Sequence, residues 1–262
     1  MQEVLGIVHA KKLLKRIILL IFIQLSFTSF SQQPFNEGGY WFYYFGDNKI
    51  NERIGVHSEV QLRNLGVKNA LSTSFFRVGL NVYTTKTSIL TGGYGLFYNA
   101  PSKPFQDFST SKEHRAWQQF LMRRKTNYTF LEHRYRQEQR FVKDLESEAW
   151  SNSHRARYRF QAIFPFYTLS PYLRYFFMAF YNETMLNFKP NPADVFDRNR
   201  LYFALGIQVS PKLNFQFGYL NQLAQQAQFP NHEISHLLQI GVSYNMDDLM
   251  RSFFAPIKTE NE

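Results

Sequence analysis

From Arg53 onward the chain alternates apolar and polar positions with a period of two. The alternating segments run for about ten residues, the length a tilted strand needs to cross a bilayer. Between Arg53 and Arg63, Ile54, Val56, Val60 and Leu62 share one face, and His57, Glu59, Gln61 and Arg63 share the other. From Phe75, Arg77, Gly79 and Asn81 alternate with Phe76, Val78, Leu80 and Val82, and a returning strand carries Leu90, Tyr94, Leu96 and Tyr98. Arg115–Arg123 and Phe130–Phe141 form the next pair, followed by Ser153–Phe164. A strand starting at Pro171 puts Leu173, Tyr175, Phe177, Ala179 and Tyr181 on an apolar face. Leu201, Phe203, Leu205, Ile207 and Val209 then alternate with Arg200, Tyr202, Ala204, Gly206 and Gln208, and Leu213–Leu220 and Ile234–Tyr244 close the series. These segments predict ten strands. Gly39–Phe45 is an extra strand or a partner for the seam, which sets the range at 10–12.

The connections alternate as well. Tight turns fall at Thr85-Lys86-Thr87, Thr126-Asn127, Tyr167–Ser170 and Pro211. Longer polar loops fall near Arg63–Leu71, Ala100–Lys112, Lys143–Trp150, Asn187–Arg198 and Ala224–Asn231. Short periplasmic turns and longer external loops are the asymmetry of outer-membrane barrels. The expected fold is an all-β, transmembrane, antiparallel up-and-down β-barrel. It forms one domain over residues 32–246, with both chain ends on the periplasmic side.

Charge follows the same alternation. Glu132, Arg134, Arg136, Glu138 and Arg140 share a face, and so do Arg155, Arg157 and Arg159. An arginine on the lipid face at the bilayer midplane costs about 2–4 kcal/mol. These rows therefore face inward, where neighbouring strands can pair opposite charges. Together with Glu59 and Arg63 they form the candidate lumen wall. One reading is an ionic lattice that packs and braces a largely closed lumen. The other is a narrow, anion-favouring path along Arg134, Arg136, Arg155, Arg157 and Arg159.

The N-terminal segment carries different chemistry. Lys11-Lys12-Leu13-Leu14-Lys15-Arg16 is a basic stretch, Ile17–Phe27 is an apolar run shorter than a membrane span, and Ser29-Phe30-Ser31 offers small residues before a cut. Residues 1–31 are expected to be a cleaved signal peptide.

Composition narrows the class further. Aromatic residues make up 18% of the chain, with 28 Phe and 16 Tyr, yet its mean hydropathy is low. A barrel that turns apolar residues to lipid and polar residues to a lumen reconciles the two. A soluble β-sandwich or periplasmic lipocalin-like binder is the alternative. No cysteine is present, which excludes a disulfide framework, a thiolate metal site, a cysteine nucleophile and a lipoprotein anchor. The formal charge is +10, of which the leader carries +3 (Lys11, Lys12, Lys15 and Arg16 against Glu3) and the remainder +7. Because the arginines are spread among glutamates behind an export signal, nucleic acid is not expected as a partner. Outer-membrane lipid, lipopolysaccharide and a small anionic solute are expected instead.

Two strings resemble catalytic motifs. His232-Glu233-Ile234-Ser235-His236 matches the zinc-protease pattern, which needs a helix to bring both imidazoles to one metal. On a strand, residues four apart are separated by about 13 Å, too far to share a zinc. Ser153 and His154 are adjacent and, on a strand, point to opposite faces. No catalytic, metal or cofactor residue is therefore assigned. An outer-membrane hydrolase acting on lipid or lipopolysaccharide is the alternative activity.

Taken in order, Trp41, Glu59-Val60-Gln61-Leu62-Arg63, Glu113-His114-Arg115-Ala116-Trp117-Gln118-Gln119, Arg134–Phe141, Arg155-Ala156-Arg157-Tyr158-Arg159, Asn182-Glu183 and Phe196-Asp197-Arg198-Asn199-Arg200 before Leu205-Gly206 resemble a known family. It is the group of outer-membrane barrels called domain of unknown function 2490. The resemblance implies an outer-membrane barrel of unknown activity and supplies no catalytic residues. Gln239–Met246 resembles the terminal signal read by the barrel-assembly machinery. Residues 247–262 are then expected to form a periplasmic tail. The expected function is a non-enzymatic barrel, structural or a narrow anion-favouring channel.

Overall fold

The computed structural model describes residues 35–65, 71–100, 110–126, 129–166, 175–188, 195–210, 212–225 and 232–245. The chain divides at Pro34 into two units, and the second, Phe35–Glu262, holds the fold. The expected signal peptide (residues 1–31) and tail (247–262) lie outside the described residues.

Eleven strands form: β1 (Phe35–Lys49), β2 (Ile54–Leu65), β3 (Leu71–Tyr83), β4 (Ser88–Asn99), β5 (Ser111–Lys125), β6 (Phe130–Asp144), β7 (Trp150–Phe166), β8 (Tyr175–Phe188), β9 (Phe196–Gln208), β10 (Leu213–Gln225) and β11 (His232–Asn245). They close into a barrel in which each strand pairs with its sequence neighbours and β1 closes on β11. No helix of the described residues is long and apolar enough to cross a membrane, which says nothing of strands.

The segment Gly39–Phe45 lies within β1 and is the partner at the seam. There Trp41 lies beside Gln239, Tyr43 beside Gly241 and Phe45 beside Ser243. This pairing is parallel, whereas the ten others are antiparallel. The expectation that both ends lie on one side is thereby corrected. An odd strand count makes β1 and β11 run the same way, so Phe35 and Asn245 sit at opposite ends of the barrel.

Local chemistry sets the tight connections. Asn51 Oδ1 accepts the amides of Arg53 and Ile54, both at 2.9 Å, and turns β1 into β2. Thr126 Oγ1 donates to the Thr129 carbonyl at 3.0 Å and accepts its amide at 3.1 Å, closing β5 onto β6. The connection expected as a longer loop at Lys143–Trp150 is also compact. Asp144 Oδ1 accepts the amides of Glu146 and Ser147 at 2.8 and 2.9 Å, an Asx turn. Glu148 takes the left-handed conformation at φ 57° to complete it.

Alternation sorts the side chains by face. Phe76, Val78, Leu80 and Val82 of β3, Leu90, Leu96 and Tyr98 of β4, and Phe203, Leu205, Phe217, Leu238 and Ile240 of β9–β11 are exposed on the outside. Such a continuous apolar belt is far larger than the patches a water-soluble monomer leaves uncovered.

Inside, rings lie over glycines. The Trp117 indole is fully buried, and a methyl on Gly79 or Gly93 would sit 2.8 or 2.7 Å from its Cζ2. Phe177 covers Gly206 in the same way, with a virtual Cβ 2.1 Å from the ring. This is why one sequence expectation changes. The strand expected from Pro171 is β8, described from Tyr175, with residues 171–174 outside the described residues, and its Phe177, Ala179 and Tyr181 point into the barrel. The ring of Phe177 fits there because its register partner on β9 has no side chain. Phe177 and Ala179 join Trp41, Tyr202, Ala204, Leu220 and Leu237 in a buried apolar cluster on the β8–β11 and β1 side.

Candidate functional site

The lumen holds a cavity of about 830 Å³ whose wall carries twelve arginines and five glutamates. Nine of the ten residues expected on the lumen wall line it: Glu59, Arg63, Glu132, Arg134, Arg136, Arg140, Arg155, Arg157 and Arg159. The tenth, Glu138, is fully buried behind the arginines it binds.

The register creates an electrostatic difficulty. Arg134 lies directly opposite Arg159, Arg136 opposite Arg157, and Arg115 opposite Arg140. Like charges facing each other across a strand pair destabilise it. Carboxylates resolve all but one of these contacts. Glu113 bonds both Arg115 and Arg140 at 2.7 Å. Glu183 accepts from Arg134 at 2.5 Å and from Arg157 at 2.8 Å, and Glu132 accepts from Arg159 at 2.5 Å. Glu138 is the hub of the lattice, with Arg155 at 2.6, Arg157 at 2.7, Arg115 at 3.3 and Arg77 at 3.5 Å. Arg77 in turn pairs with Glu59, its direct register partner, at 2.6 Å.

Two arginines are held differently. Arg136 donates twice to Gln119 Oε1, at 3.0 and 2.6 Å, and packs over Trp117; its nearest carboxylate, Glu138, is 4.0 Å away. Arg63 donates to Gln61 Oε1 at 3.0 and 2.7 Å and packs over Trp41 and Phe75, with no carboxylate partner among the described residues. Amides and rings position these guanidinium groups while leaving their charge in place.

Several lattice members were outside the sequence-derived set. Arg77 stands on the polar face already read for its strand, and Glu113 and Arg115 share one face two residues apart. Glu183 was obscured because its strand reads as apolar. Asp197, which binds Arg155 at 3.0 Å, lies where the β8–β9 register shifts at Met185/Leu186. Simple alternation misplaces such a residue, because a bulge resets the face.

The two catalytic-looking strings lie as strand geometry requires. His232 and His236 are both on β11; the His236 ring bonds the Tyr219 hydroxyl, while Glu233 lines the lumen and accepts from Ser235 at 2.8 Å. No group of three His, Cys, Asp or Glu side chains able to hold a metal occurs among the described residues. Ser153 and His154 are consecutive on β7 and therefore face opposite ways.

No curated protein matches the chain. A solved structure of the NanC porin is similar at 13% sequence identity and a TM-score of 0.46, covering 79% of this chain and 97% of the porin. The family model described as protein of unknown function (DUF2490) matches residues 38–233, from β1 to the start of β11, and the chain belongs to that family.

Proposed function

We propose that the protein is a non-enzymatic outer-membrane barrel whose lumen is a narrow, anion-favouring channel. The observation that carries the reading is the charge of the cavity wall, where arginines outnumber glutamates, Arg63 keeps an amide partner alone and Arg136 keeps two bonds to an amide with its carboxylate contact only at 4.0 Å. Guanidinium groups held without neutralisation in a narrow lumen attract anions and repel cations. The outward apolar belt supports a membrane setting, with outer-membrane lipid and lipopolysaccharide covering it and the barrel-assembly machinery inserting it.

Purified barrel in a planar bilayer under a salt gradient tests the channel. Discrete conductance steps with a reversal potential of anionic sign are expected. Absence of steps, or cation selectivity, overturns the channel reading and leaves the ionic lattice as a brace. Heat-modifiable migration of the membrane-fraction protein tests the setting, since a soluble binder would not show it. Hydrolysis of lipid or lipopolysaccharide by the purified barrel would overturn the non-enzymatic part.

A further inference from the structure

Within the lumen one buried donor lacks an acceptor beside two amide-anchored guanidinium groups. Trp41 is only 4% exposed, lines the cavity, and its Nε1 has no hydrogen-bond partner among the described residues. Two guanidinium groups pack on the same indole, Arg63 at 4.1 Å and Arg200 at 4.9 Å from the ring centroid. Each is anchored by one amide. Gln61 holds Arg63 at 2.7 Å, and Gln222 accepts from Arg200 Nε at 2.9 Å. The nearest carboxylate, Glu183, is 3.7 Å from Arg200 and already takes closer bonds from Arg134 and Arg157.

A buried donor left unsatisfied costs free energy, and two cations brought to one ring repel each other. Both penalties are relieved by a single acceptor of high negative charge. A neutral solute would satisfy the indole N–H but not the guanidinium charges. A monovalent carboxylate would neutralise one of them. A tetrahedral oxyanion carries enough oxygens and charge to accept from the indole and both arginines together.

We infer that Trp41, Arg63 and Arg200 form a binding site for a small multivalent oxyanion of the phosphate class. The site deepens the channel reading by naming what the lumen would select, and it rests on that lumen being open to solute. Its test reads binding in detergent rather than conduction, so either proposal can fail alone.

The experiment is calorimetric titration of the folded, full-length barrel in detergent at low ionic strength, with inorganic phosphate and with acetate. Phosphate is expected to bind with a Kd below about 1 mM, and acetate at least about tenfold more weakly. Trp41→Phe keeps an aromatic face for the guanidinium groups but loses the indole N–H and part of the ring area, and should weaken phosphate by at least about tenfold. Arg63→Gln should weaken it by at least as much, whereas Arg63→Lys should recover part of the loss. Heat-modifiable migration of each variant shows that the barrel has folded. If the folded wild-type barrel binds no phosphate at millimolar concentration, the site is overturned. Equal binding of acetate, or folded Trp41→Phe and Arg63→Gln barrels that bind like wild type, overturns it as well.

Discussion

On β6 every inward position from Glu132 to Arg140 is charged, and the facing positions of β7 are Ser153, Arg155, Arg157, Arg159 and Gln161. Across the barrel, the inward positions over residues 216–222 of β10 and 237–243 of β11 are uncharged: Gln216, Gly218, Leu220 and Gln222, then Leu237, Gln239, Gly241 and Ser243, with the inward carboxylate Glu233 lying nearer the start of β11. Both walls meet the same demand, to fill the inside of a closed sheet, by different physics. The charged wall is held by complementarity: each arginine is positioned by the carboxylate or amide that binds it, and Glu138 serves several at once. The uncharged wall is held by shape: Tyr43 and Tyr202 lie in the spaces left by Gly241 and Gly218. Removing a charge should therefore damage the first wall most, and adding volume should damage the second.

That contrast predicts an order of effects. Glu138→Gln keeps the volume and removes the hub charge, leaving Arg155, Arg157, Arg115 and Arg77 without their common partner. It should cost about 3–5 kcal/mol, read as a lower urea midpoint for the folded barrel in detergent. A loss below about 1 kcal/mol would show that other carboxylates take over and that the lattice has no hub. Adding Arg155→Gln to that variant should restore about 0.5–3 kcal/mol of coupling, whereas strict additivity would mean the two groups act separately.

Gly241→Ala should cost about 1–3 kcal/mol, because the new methyl would sit 2.0 Å from Cζ of Tyr43 and displace that ring against its neighbours. A neutral result would show that the uncharged wall repacks freely. The smallest effect belongs to Gln239→Leu. Gln239 is buried on that wall and is similar in volume to leucine. The change should stay below about 1 kcal/mol, and a larger loss would reveal a polar network on the side described as shape-filled.

The charged wall was far more legible in sequence than the uncharged one. The arginine rows on β6 and β7 are visible because a strand's two-residue period is local, and an arginine among aromatic neighbours marks the inward face. On β8, Phe177 reads as an outward residue because the register that sets it over Gly206 depends on a strand about thirty residues later. Asp197 shows a different limit, since a bulge decides its face and leaves no mark in composition.

The alternation of residues by itself determined that the chain makes about ten strands, that their polar faces turn inward, and that rows of arginine and glutamate share those faces. Strand geometry dictates this before any strand finds a partner. Only the tertiary structure decided that eleven strands close on a parallel seam and that Glu183 on β8 serves Arg134 on β6 and Arg157 on β7. It alone brought Arg63 from β2 and Arg200 from β9 to the indole of Trp41. These contacts span much of the chain, and closure and register, which no local window contains, create them.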